Sequence, residues 1–150
     1  MGLPEELGKT NKTKSVGRTN KIKGSNAERE YAKFFRELGF KFCVTSRFGS
    51  KLHDGAKIDL LNVPFNVQIK AGKQKGINYS KILSEIAEAI KITFPPTNIE
   101  HTLPNILIHK KFIGAGRKKN PYDEIVCLSL EDFGKIISPE FSELLNRTRE

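Results

Sequence analysis

A mixed α/β fold, a sheet covered by helices, is predicted by the order of periodic segments along this chain: helix, three strands, helix, two strands, helix. Two observations carry the prediction. Apolar residues recur at helical spacing in segments beginning at Ala27, Tyr79 and Pro139, and five short apolar runs bounded by glycine, proline or asparagine lie between them.

Residues 1–24 set Lys9, Lys12, Lys14, Arg18, Lys21 and Lys23 against only Glu5 and Glu6, with few apolar residues. This reads as a flexible basic arm, serving equally well for electrostatic capture of nucleic acid or as a solubilising tail. Residues 25–150 form the folded domain. Ala27, Tyr31, Phe34, Phe35 and Leu38 then make one helical face, which Gly39 ends. Residues 40–45 read as a strand and 46–55 as a polar, glycine-bearing loop. Strands follow at 57–62 and 65–70, joined through Val63-Pro64. Tyr79, Ile82, Leu83, Ile86 and Ile90 mark the second helix, with Asn78 or Ser80 as its N-cap. Pro95, Pro96 and Pro104 make 93–104 a loop. Residues 105–109 and 124–128 are the last strands, separated by the basic segment Gly114-Ala115-Gly116-Arg117-Lys118-Lys119, and Ser138-Pro139 opens a final helix with Phe141, Leu144 and Leu145 as its apolar face.

Lysine and arginine number 26 against 17 aspartates and glutamates, a formal net charge of +9 that favours phosphate polymers as partners. Cys43 and Cys127 each sit in an apolar run and read as buried core thiols. No CxxC pair or His/Cys cluster suggests structural zinc. No apolar run approaches a membrane span, the first residues lack a signal-peptide core, and Glu6 stands where a myristoylation motif needs a hydroxyl. The expected compartment is the reducing interior of a cell, cytoplasmic or nucleoid-associated.

The chemistry concentrates between Gly24 and Lys73. In residues 65–70, Gln68 and Lys70 share one strand face, about 7 Å apart. Asp59 interrupts the apolar run Lys57-Ile58-Asp59-Leu60-Leu61, where burial without a partner is costly. If the two strands pair, Asp59 reaches the same volume, and a carboxylate with an amide oxygen can ligate a hard cation such as Mg²⁺. Each residue alone is ordinary; the combination points to metal-dependent phosphodiester chemistry. The helix offers Glu28 or Glu30 as a further ligand, and periodicity leaves the choice open. Ser25-Asn26-Ala27-Glu28 also matches a capping box, which would make Glu28 structural. His53, His101 and His109 are scattered, with His53 at most a phosphate contact.

Lys23-Gly24-Ser25-Asn26-Ala27-Glu28-Arg29-Glu30, Leu38-Gly39-Phe40, Ser46-Arg47-Phe48-Gly49-Ser50, Ile58-Asp59-Leu60 and Gln68-Ile69-Lys70 together resemble the PD-(D/E)xK nuclease superfamily, most nearly the archaeal-type and phage-type Holliday junction resolvases. The resemblance covers about residues 23–90. It implies a restriction-endonuclease-like core, a central mixed sheet flanked by helices in αβββαβ order. Glu28, Asp59 and Gln68 are then the metal ligands and Lys70 the catalytic lysine, with Ser46 or Ser50 near the phosphate. Ile58 replaces the usual proline, and Gln68 stands where glutamate is usual, so that ligand neutralises no charge. The implied activity is Mg²⁺-dependent cleavage of branched or four-way DNA, with Mn²⁺ substituting. Lys23, Arg29, Arg47, Lys51, Lys73, Lys75, Arg117, Lys118 and Lys119 are the candidate DNA contacts. Two symmetric cuts call for a homodimer. Another nuclease of the superfamily, acting on ends, nicks or specific sites, and a DNA-binding protein whose metal site has decayed are the alternatives.

Overall fold

The computed structural model describes residues 7–72, 76–111 and 120–150, with side chains from residue 21 onward. The architecture is mixed α/β: a three-stranded mixed sheet, flanked by helices, with a two-stranded ribbon beside it.

Helix α1 spans Leu7–Glu37. It therefore begins well before Ala27, and residues 7–24, expected as a flexible arm, are helical backbone. No proline stands between Pro4 and Pro64, so nothing stops a helix nucleated on the apolar face from propagating toward the N-terminus. Gly39, at φ +106°, ends the element by letting Phe40 turn back beneath it.

The ribbon is shorter than expected. Strands β1 (Val44–Thr45) and β2 (Leu60–Leu61) pair antiparallel, Val44 opposite Leu61. Lys57 and Asn62 adopt φ of 64° and 62°, left-handed conformations that confine β2 from both sides. The expected loop at 46–55 is instead two short helices, α2 (Ser46–Gly49) and α3 (Lys51–Gly55). Ser50 separates them and caps α3 by accepting from His53 N.

Strand β3 (Asn66–Ala71) lies parallel to β4 (Asn105–Lys110), which pairs antiparallel with β5 (Glu124–Cys127). The β3-to-β4 crossover runs through α4 (Tyr79–Thr93), whose N-cap is Asn78, one of the two expected candidates. Helices α5 (Leu130–Ile136), which sequence periodicity did not reveal, and α6 (Pro139–Arg149), capped by Ser138, complete the chain. The basic segment 114–119 lies outside the described residues.

Period-two alternation puts Val67 and Ile69 of β3 and Ile106 and Ile108 of β4 on one sheet face. Val67, Ile69, Ile106 and Ile108 pack with Ala27, Tyr31, Ala32 and Phe35 of α1. Ile86, Ile90 and Phe94 pack with Ala56 and Ile58 in a second cluster. Cys43 is fully buried, whereas Cys127, expected in the core, is half-buried near the end of the last strand. Among the described residues, no helix is long and apolar enough to cross a membrane.

Candidate active site

Asp59 sits where the ribbon meets the sheet. Its backbone N–H donates to Val67 O at 2.7 Å, and its carbonyl accepts from Ser46 N at 2.9 Å. Its side-chain Oδ2 accepts from Ile69 N at 2.7 Å, pinning the carboxyl against β3. Burial pushes its pKa up to about 7; the Ile69 N–H pulls the other way, the Glu28 charge adds to the rise, and Lys70 opposes it. Asp59 is thus a desolvated acid within the electrostatic reach of Glu28 and Lys70.

Gln68 and Lys70 alternate with Val67 and Ile69 on β3 and take the opposite face from the α1 core. Gln68 is buried, and its Oε1 has no hydrogen-bond partner among the described residues. A desolvated amide oxygen without a donor is costly. Such an atom, on the strand whose Ile69 N also holds the Asp59 carboxyl, fits a site that gains from a hard cation.

Glu28 lies inside α1, twenty-one residues past its start, so the capping-box alternative does not hold. Its carboxylate is buried and gripped by Arg47, Nε to Oε2 at 2.9 Å and a terminal guanidinium nitrogen to Oε1 at 3.0 Å. Desolvation still leaves its pKa raised, with Arg47 opposing and Asp54 reinforcing the rise. Glu30 is exposed and pairs with Lys110, so the structure turns Glu28 rather than Glu30 toward Asp59. Each Glu28 oxygen accepts from Arg47, whose charge offsets what Glu28 could offer a cation. Arg47, expected on DNA phosphate, is committed to this pair.

Truncating Arg47 to alanine would strand the Glu28 charge. The expected loss, about 1–3 kcal/mol by chemical denaturation near pH 8, is discounted because the guanidinium is one-third exposed. It should shrink at lower pH, where Glu28 takes a proton, and nearly vanish in an R47A/E28Q background. An equal loss in both backgrounds would show that the pair is not its source.

The other expected contacts divide. Arg29, Lys23 and Lys51 are exposed; Lys73, Lys75, Arg117, Lys118 and Lys119 lie outside the described residues. Ser46 is fully buried, its Oγ unpartnered among the described residues, so it supports the Asp59 backbone rather than meeting DNA. Ser50 Oγ lies 2.8 Å from His53 Nδ1, and His53 Nε2 lies 3.0 Å from Glu100 Oε1. Both His53 ring nitrogens are therefore engaged within the protein.

One residue escaped the sequence reading, and a second was set aside there as scattered. Asp54 on α3 raises the pKa of both Glu28 and Asp59 and belongs to the same acidic region. His109 pairs in register with Lys70 across β3 and β4, buried, with Nδ1 3.0 Å from the Tyr79 hydroxyl. Burial and the Lys111 charge push its pKa down, favouring the neutral imidazole. Only the pairing register of β3 with β4 could have found it.

Among the described residues, no three His, Cys, Asp or Glu side chains gather as a metal cluster; the candidate ligand set relies on an amide. Comparisons with protein-family models, curated proteins and solved structures find no match to this chain.

Proposed function

We propose that this chain is a Mg²⁺-dependent endodeoxyribonuclease with a restriction-endonuclease-like core, acting on branched DNA as a homodimeric Holliday junction resolvase. One observation carries the reading: Asp59, its ionisation suppressed by burial and by Glu28, lies against the strand on which the partnerless Gln68 amide oxygen and Lys70 share a face. Asp59 and Gln68 would hold the cation, joined by Glu28. When bound, such an ion polarises a phosphoryl oxygen and supplies an activated water. Lys70 would orient the nucleophile and counter the charge growing on phosphorus. The net charge of +9 favours the DNA backbone as partner.

Labelled four-way junctions, Y-forks and linear duplexes incubated with Mg²⁺ test the substrate. Paired symmetric nicks in the junction support a resolvase; equal cutting of linear duplex supports another nuclease of the superfamily. The second reading, a DNA-binding protein with a decayed site, draws on the hold of Arg47 over both Glu28 oxygens and predicts binding without cutting.

Gln68→Glu separates these further. The added charge should lower the Mg²⁺ concentration for half-maximal cleavage several-fold. In EDTA it should cost about 1–3 kcal/mol of stability, because a further carboxylate joins Asp59 and Glu28. A variant that is fully folded yet inactive would show that the amide has another role.

A further inference from the structure

Phe48 is 80% exposed on α2, although a buried phenylalanine would contribute about 1.5–3 kcal/mol to folding. Gly49 packs so closely on β2 that a Cβ there would lie 2.6 Å from Leu61 Cδ1, and neighbouring Arg47 is anchored on Glu28. Phe48 lines a cavity of about 460 Å³ together with Arg29, Ala32, Arg36 and Val44.

The chemistry of that cavity is specific. The Arg29 guanidinium stands 6.0 Å from the Phe48 ring centroid, and Arg36 reaches across to donate to Cys43 O at 2.8 Å. An apolar floor, an exposed ring and two guanidinium groups match a nucleobase with its phosphate: the base stacks on the aromatic face and the cations meet the backbone. Apolar protein partners would leave the arginine charges unanswered.

We propose that Phe48 and Arg29 form a stacking site for an unpaired DNA base, one residue along the chain from the Arg47–Glu28 pair. The proposal rests on the nuclease reading above and deepens it. A branch point can present a splayed nucleotide, whereas a blunt duplex keeps its bases stacked; the site therefore supplies selectivity for branched DNA that the basic surface alone does not.

The chain contains no tryptophan, so Phe48→Trp introduces a single tryptophan, selectively excited at about 295 nm apart from the three tyrosines, at an exposed position. Titrated in EDTA, where no cleavage occurs, its emission should fall at least about two-fold with a Y-fork bearing unpaired arms and change little with blunt duplex. In parallel, Phe48→Leu should weaken fork binding by about ten- to hundred-fold, read by anisotropy, while duplex binding stays constant. Unchanged tryptophan emission on a fork that binds would overturn the proposal. So would emission that tracks protein concentration without DNA, which would make Phe48 a contact between copies of the chain. Failure to bind any fork would refute it as well. Stacking without Mg²⁺-dependent cleavage would instead retain this site and refute the nuclease reading.

Discussion

Asp59→Asn should be more stable than the wild type near pH 8 and lack nuclease activity. The sign follows from the raised pKa. The folded carboxyl holds its proton up to about pH 7, while the unfolded one releases it near its ordinary value of 3.8. Between those limits the native state binds more protons, so stability falls as pH rises through the window and is least above it. Asparagine carries no charge to desolvate, and its amide oxygen can still accept from Ile69 N. The gain should be roughly 2–4 kcal/mol at pH 8 and vanish near pH 4, measured by urea unfolding in EDTA. Cleavage should drop by at least about 10³-fold, since the amide cannot bring charge to a cation. An asparagine variant less stable than wild type at pH 8 would mean that the carboxylate is satisfied by contacts in the folded protein.

Lys70→Ala should lose cleavage by about 10²–10⁴-fold while DNA affinity changes little, because one cation among many contributes weakly to binding. Lys70 shares its strand face with Gln68, its charge stabilises the Asp59 carboxylate, and buried His109 is its neighbour in register. Removing it should therefore also push the Asp59 pKa higher and shift any residual pH–rate profile upward. Affinity that collapsed together with cleavage would assign Lys70 to DNA binding instead.

Much of the fold was legible where side-chain pattern alone decides structure. The alternation in β3 and β4, the periodicity of α4 with its Asn78 cap, and the Ser138-Pro139 start of α6 are local signals that the tertiary structure agrees with. The ribbon was misjudged because Lys57 and Asn62 take left-handed conformations that their residue types do not announce. The helical backbone at 7–24 was missed because a basic, apolar-poor segment carries no periodicity, even though nothing in it forbids a helix.

At the site, the sequence grouped Asp59, Gln68 and Lys70 through strand alternation. It could not choose between Glu28 and Glu30, which depends on where Arg47 and Lys110 lie in three dimensions. For the same reason Arg47 read as a DNA contact, and Asp54, on an element taken for loop, went unnoticed.

The most direct test of the central claim is the rate of four-way junction cleavage by the wild-type protein as a function of divalent cation, under single-turnover conditions. A cation held by Asp59 and Gln68 predicts no cleavage in EDTA, a saturable rise with Mg²⁺ and recovery with Mn²⁺. Cleavage that persists in EDTA, or junction binding with no cleavage at any concentration of either metal, would contradict it.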